Sequence, residues 1–250
     1  MLNKTNNNGV LTVQLDRGRA NPINFDLVEA LIQLFTEAKS DDTVKGIILT
    51  GKPGFFSVGL DIIELFDYDR DKIKAFWKRF TEMVQTLASF PKPYITAISG
   101  HSPAGGCILA ICSDYRVMAE GKYRIGLNEV PLGIVLPNYG FQLYSYWIGK
   151  RQAYHYLMVG HLLTIEEAVA CGLLDEVVPF EQLMERAEHK MADYLKHNQS
   201  GWQQSKVNIR KDILDAFNFD LDADIEHRME QWWAPETRAI MKTMIDRLKS

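Results

Sequence analysis

Two glycine-bearing segments, Phe55-Phe56-Ser57-Val58-Gly59-Leu60-Asp61 and Ser102-Pro103-Ala104-Gly105-Gly106-Cys107, each follow a β-like apolar run and lead into a helical pattern. That placement lets one backbone N–H from each loop converge on a single oxygen atom. Such a pair is an oxyanion hole, and donors aimed at developing negative charge are often the largest single contribution to catalysis. A carboxylate, Glu129, follows in Gly126-Leu127-Asn128-Glu129-Val130-Pro131-Leu132-Gly133. Two donors and one base suit enolate chemistry, in which a proton leaves the carbon beside a carbonyl while charge moves onto its oxygen. Taken singly, each glycine also fits a plain turn, and Glu129 also fits a loop carboxylate or a helix cap.

The elements that must carry these groups are legible as alternating patterns. Residues 10–16 alternate as a strand. Asn24 is placed to cap a helix running to about residue 40, with Leu27, Leu31, Leu34, Phe35 and Ala38 on its apolar face. Residues 46–50 form a short apolar run of the buried-strand kind, after which the first glycine loop and a helical turn capped by Asp61 follow. Residues 69–90 read as a long amphipathic helix stopped by Pro91-Lys92-Pro93, and residues 94–99 as a strand leading into the second glycine loop. The small apolar stretch 104–112 reads as a buried helix, and 115–119 and 123–126 as two further strands, with Glu129 just past the second. Beyond Pro137 strand signals nearly vanish. Thr164-Ile165-Glu166-Glu167 is a capping box, Gly172 ends that helix, residues 173–178 make one more strand, and the remainder is helical with a loop near 198–201. Strand–helix alternation followed by helices alone implies an α/β core, taken as residues 1–195, with a helical C-terminal region, 196–250. Trp202, Phe217, Phe219, Trp232, Trp233 and Met244 in that region suit either core packing or contact with another subunit.

Composition is that of a soluble globular chain: 250 residues, 46% hydrophobic and 24% charged. The formal charge of −4 argues against nucleic acid or an anionic membrane as the main partner. Cys107, Cys112 and Cys171 lack metal-ligand spacing and read as core residues in a reducing compartment. The polar N-terminus lacks a signal or transit pattern, Arg247-Leu248-Lys249-Ser250 is not a peroxisomal address, and no apolar run approaches the ~20 residues of a membrane span, so a cytosolic location is expected.

The motifs together resemble a known family. Phe-Ser-x-Gly-x-Asp at Phe56 to Asp61, Pro-Ala-Gly-Gly-Cys at Pro103 to Cys107, then Ser113-Asp114-Tyr115-Arg116 and Gly126-Leu127-Asn128-Glu129 are similar to the crotonase (enoyl-CoA hydratase/isomerase) superfamily, most of all to its 3,2-trans-enoyl-CoA isomerases. The resemblance implies a ClpP/crotonase-like fold of repeated ββα units, a homotrimer or dimer of trimers, and an acyl-CoA thioester as substrate. Coenzyme A enters as part of that substrate, with no separate cofactor and no metal. The oxyanion donors it implies are the backbone N–H groups of Leu60 and Gly105, with Glu129 as the catalytic base. Its substrate-binding set falls on Ser57, Val58, Gly59, Leu60, Asp61, Gly105 and Gly106, with adenine and pantetheine along the backbone at Ser57, Val58 and Leu60. Val58 stands where the family usually has a smaller residue.

Hydratases of the superfamily use two glutamates, and the position matching the first is Ile108 here. Isoleucine cannot position or deprotonate water, which favours a reaction needing one base, such as movement of a double bond from the 3 to the 2 position in fatty acid oxidation. Burial of Glu129 against Leu127, Val130, Leu132 and Ile134 would raise its pKa toward neutrality. His101 is expected to be a loop residue, and Asp114 and Asn128 structural partners. Lys52, Lys92, Lys150, Arg151 and the C-terminal lysines are all candidates for the CoA phosphates. Alternatives are a hydratase or another crotonase reaction, and a non-catalytic acyl-CoA-binding subunit.

Overall fold

The computed structural model of the chain describes residues 1–249. Ser250 and the side chain of Lys249, one of the C-terminal lysines considered above, lie outside the described residues. The larger of two sheets takes β1 (Leu2–Asn7), β2 (Val10–Leu15), β3 (Gly46–Thr50), β5 (Tyr94–Ile98), β7 (Tyr115–Ala119) and β9 (Glu176–Val178), in that order. The smaller takes β4 (Gly54–Phe55), β6 (Gly100–Pro103) and β8 (Ile125–Gly126). β1 is antiparallel to β2, and the other pairings are parallel. The helices are α1 (Phe25–Ser40), α2 (Ile62–Phe66), α3 (Arg70–Ala88), α4 (Gly105–Ile111), α5 (Asn138–Ile148), α6 (Lys150–Val159), α7 (Ile165–Ala170), α8 (Leu183–Leu195), α9 (Gln199–Ile209), α10 (Lys211–Asp215), α11 (Leu221–Trp233) and α12 (Pro235–Lys249). The order β3-β4-α2, then β5-β6-α4, then β7-β8 is the expected ββα repeat: one strand for each sheet, then a helix.

Burial on both faces explains why the central strands read as unbroken apolar runs. Ile47 and Leu49 of β3 join the main core with α1 and α3, while Ile48 points the other way onto Ile95, Ala97, Val117 and the α8 residues Leu183, Ala187 and Met191. The helix starts follow their capping chemistry. Asn24 accepts from the Leu27 N–H, Asp61 from Glu64, Asp69 from Lys72, and Thr164 forms the full capping box with Glu167.

Several local expectations are corrected. The polar N-terminus, to which the sequence pattern assigned no element, is a strand, β1, because its backbone pairs with β2 although its side chains are mostly exposed. The strand expected over 123–126 shrinks to Ile125–Gly126, and that over 173–178 to Glu176–Val178, with Leu173 and Leu174 turned into the core ahead of it. His101 lies in strand β6, not in a loop.

The C-terminal helices are tied to the core by a buried ionic cluster and by rings. Lys206 and Arg210 pair with Asp114 at 2.7 and 3.0 Å, and Arg210 also donates to the Cys112 and Ser113 carbonyls, both at 2.7 Å. Phe217 stacks on Tyr139 at 4.7 Å, and Trp232 meets Trp77 edge-on at 5.7 Å. These two aromatics are buried in the chain's own core, while Trp202, Phe219, Trp233 and Met244 are partly buried.

Candidate active site

Each strand of the small sheet ends in one of the segments singled out above. Gly54 and Phe55 of β4 lie opposite Gly100 and His101 of β6, and Ser102 and Pro103 of β6 lie opposite Ile125 and Gly126 of β8. The parallel register therefore delivers the Leu60 loop, the Gly105 loop and the Glu129 loop on the same side.

In the first loop, Ile23 donates to the Gly59 carbonyl at 2.7 Å and accepts from the Asp61 N–H at 2.9 Å. This is a parallel bridge centred on Leu60, which turns the Leu60 N–H away from Ile23. Gly59 has φ +84°, a conformation that favours glycine. Ser57 is fully buried, donating to the Asn21 carbonyl at 2.7 Å and accepting from the Gly59 N–H at 3.2 Å. The Val58 N–H donates to the Ala20 carbonyl at 3.0 Å, and Asp61 pairs with Arg17 at 2.6 Å besides capping α2. The side chains of Ser57 and Asp61 are thus occupied in holding the loop.

The second loop passes through Ala104 at φ +49°, ψ −122°, a strained setting for a residue with a Cβ. Its N–H donates to the Gly126 carbonyl at 2.8 Å, locking the turn to β8. α4 begins at Gly105, whose N–H is among the donors a helix leaves without an internal acceptor. The loops touch directly: a Cβ on Gly106 would stand 2.2 Å from the Ser57 carbonyl oxygen. Only glycine permits that approach.

Leu60, Gly105 and Glu129 line one narrow cavity. Glu129 begins the short 3-10 turn Val130–Leu132. Its Oε2 is buried and without a hydrogen-bond partner. Burial pushes the Glu129 pKa up to about 7, against the pull of the backbone N–H groups of Glu129 and Asn128. The walls differ from expectation. Ile134 is present, but Val130 is 39% exposed and lies off the cavity; the apolar enclosure comes from Trp77 and Phe80 of α3, Ile108 of α4, Val135 and Leu136, and Tyr139 of α5. Among the described residues, Glu129 is the only carboxylate on this wall.

The remaining candidates stand elsewhere. His101 packs between Phe55 and Tyr123 and accepts at Nδ1 from the Arg124 N–H at 3.1 Å. Burial and the Arg124 charge lower its pKa. Asp114 lies in the ionic cluster, and Asn128 Oδ1 is buried without a partner beside Glu129. Lys92 is a poor choice for phosphate: it is buried, donating to the Ala38 and Asp41 carbonyls at 2.7 Å each. Lys52 pairs with Asp16 and donates to the Gly18 carbonyl at 2.7 Å, and Lys150 and Arg151 are exposed.

Sequence reasoning missed Arg228, which lines the cavity from α11 and is 4% exposed. Its signal was a charged residue on the apolar face made by Ile225, Met229 and Trp232.

The fold agrees with what the chain is similar to. Residues 5–233 match the family described as "Enoyl-CoA hydratase/isomerase". "Enoyl-CoA delta isomerase 1, mitochondrial" of Mus musculus is 36% identical over 221 residues, 88% of this chain and 76% of the relative. The Homo sapiens protein of the same name is 30% identical over 96% of this chain and 80% of its own length. The crystal structure of human mitochondrial delta3-delta2-enoyl-CoA isomerase superposes with a TM-score of 0.95 at 28% identity, covering 99% of this chain and 98% of that one. With its ββα repeats and these relatives, the chain is an enzyme of crotonase fold and belongs to the enoyl-CoA hydratase/isomerase family.

Proposed function

We propose that the chain is an enoyl-CoA isomerase that moves the double bond of a 3-enoyl-CoA to the 2 position. The observation that carries this reading is a cavity shared by Leu60, Gly105 and a single carboxylate, Glu129, with Ile108 on the same wall. The thioester oxygen accepts from the Leu60 and Gly105 N–H groups. The Glu129 carboxylate removes a proton from C2, and the electrons shift through the 3,4 double bond as a dienolate whose charge rests on the oxygen. The protonated carboxyl then returns its proton to C4, leaving the double bond between C2 and C3. The proton is moved, not lost, so the step needs no metal, redox cofactor or water. The α4 N-terminus adds its dipole to the same oxygen.

A base must be ionised to begin and a good acid to finish, and a carboxyl titrating near 7 serves both ends. Ser57, Val58, Gly59, Asp61 and Gly106 act in this reading by shaping the backbone on which the CoA moiety lies. We place the reaction in the oxidation of unsaturated fatty acyl chains, in the cytosol. No helix among the described residues is long and apolar enough to cross a membrane. We further propose a homotrimer or dimer of trimers, supported by the exposed apolar side chains of Tyr154, Met158 and Val159 on α6 and Ile209 on α9. Residues 196–250 would contribute to that assembly beside the 1–195 core.

The decisive measurement compares turnover of a 3-enoyl-CoA with hydration of a 2-enoyl-CoA by the wild type and Glu129→Gln. Isomerisation lost in the variant, with little hydration in the wild type, supports the proposal. Hydration as the main wild-type activity overturns it.

A further inference from the structure

Leu60 lies beyond the end of β4, so the small sheet does not itself hold the peptide that carries this donor. The segment ahead of α1 holds it instead. Val58 donates to the Ala20 carbonyl at 3.0 Å, Ser57 Oγ donates to the Asn21 carbonyl at 2.7 Å, and Ile23 brackets Leu60 with its bonds to Gly59 and Asp61. That segment is fixed in turn. Arg17 donates to the Pro22 carbonyl at 2.9 Å while pairing with Asp61, and Asn24 caps α1.

Ile23 also reaches the second donor. Its side chain is fully buried, and a Cβ placed on Gly105 would stand 3.0 Å from Ile23 Cδ1. The δ-methyl of Ile23 thus sits against the face of Gly105 from which a side chain would project. One residue therefore holds the Leu60 peptide through its backbone and seats the Gly105 peptide through its terminal methyl. Two donors serve one oxygen only when both point at it, and a misplacement of ~1 Å can cost about 10²-fold in rate. Strand pairing brings the loops together; the aim of each peptide is settled by contacts of this kind.

We propose that Ile23 is a positioning residue that aligns the two oxyanion donors with each other. Fully buried, it stands behind the donors and acts through them. An isoleucine that served packing alone would behave like Ile47, which is equally buried in the same core but belongs to β3. The inference rests on the oxyanion reading of Leu60 and Gly105. It concerns polarisation of the thioester carbonyl, not the fate of the double bond.

The test reads that carbonyl directly. Hexanoyl-CoA is saturated and cannot isomerise. With an isotopic label in its thioester carbonyl, difference infrared spectra of its complex with the full chain should show the C=O stretch lowered by the two donors. Ile23→Val deletes the δ-methyl alone. It should shrink that lowering and reduce kcat for a 3-enoyl-CoA by about tenfold, with KM changed by less than about twofold. Ile47→Val should lower the urea midpoint without moving the stretch or kcat. Gly105→Ala should also shrink the lowering, because its Cβ meets the δ-methyl. Combined with Ile23→Val it should recover part of both losses, since the new methyl fills the place of the old. An unchanged stretch and kcat in Ile23→Val, or losses that simply multiply in the double variant, overturn the proposal. Should Ile23→Val fail to fold, Ile23→Leu keeps the side-chain volume, moves the branch and is expected to show the same loss. The predicted carbonyl response without isomerisation of any 3-enoyl-CoA would overturn the isomerase reading alone. Wild-type isomerisation that Ile23→Val leaves untouched, along with the stretch, would overturn this proposal alone.

Discussion

Glu129 and Asp114 are both carboxyl groups largely removed from water, and their surroundings are opposite. Asp114 accepts from the Tyr94 N–H at 2.8 Å and pairs with Lys206 at 2.7 Å and Arg210 at 3.0 Å, so each oxygen has a cation and the charge is compensated. Glu129 has apolar side chains around it and an Oε2 with no partner. The first arrangement spends burial on fixing α9 to the core. The second leaves a carboxyl whose ionised form is held at a disadvantage, ready to take up a proton. Burial itself does not decide between anchor and base; the partners supplied with it do.

Removing each carboxyl should therefore break different things. Glu129→Gln should lower kcat for 3-enoyl-CoA isomerisation by about 10²–10⁴-fold, the range of positioned acid–base groups, with thioester binding retained. A loss below tenfold in a spectrophotometric assay would remove Glu129 from the role of base. Asp114→Ala should leave Lys206 and Arg210 buried without compensation and destabilise the fold by about 3–5 kcal/mol, measured by urea unfolding. Its kcat at low temperature should stay near wild type.

The contrast also has a pH signature. The folded-state pKa of Glu129, about 7, lies above its ordinary 4.5. Ionising it within the fold is penalised, and that penalty is absent below pH 4.5, grows as pH rises through 4.5–7, and is full above 7. Glu129→Gln should accordingly stabilise the protein by on the order of 3 kcal/mol at pH 8, with the gain vanishing near pH 4. Over the same range wild-type kcat/KM should fall about tenfold per unit below pH 7 as the base becomes protonated. A gain in stability that is flat with pH would show that Glu129 is not strained by its site. The smallest effect concerns the loop: Ala104→Gly should relieve the positive φ and stabilise by up to about 1 kcal/mol, seen as a small rise in Tm.

Much of this site was legible in the chain because its devices are local. A glycine with positive φ, an aspartate three residues before the N–H it caps, and a capping box each act within a few residues, so Gly59, Asp61 and Thr164 announce their roles directly. What was hidden depends on distant partners. β1 is polar and acquires its strand character only from β2. β4 and β8 are two residues long, too short to show any period, yet they form the sheet that brings three loops together. Part of the wall around Glu129 comes from α3, α4 and α5, so of its neighbours in sequence Ile134 was a sound guide and Val130 was not. Arg228 carried a readable signal, a charge on an apolar helix face, but its destination required the fold.

The small sheet sets a pitch. Adjacent strands stand about 4.8 Å apart, and the loop holding the Leu60 N–H, the loop holding the Gly105 N–H and the loop holding Glu129 hang from three consecutive rungs. The gap between the atoms that hold charge and the group that moves the proton is consequently counted in strands, a lattice spacing common to all β-structure, rather than tuned by side-chain length. Side chains along the cavity can then be exchanged to suit a new acyl tail while the spacing of the reacting parts stays the same.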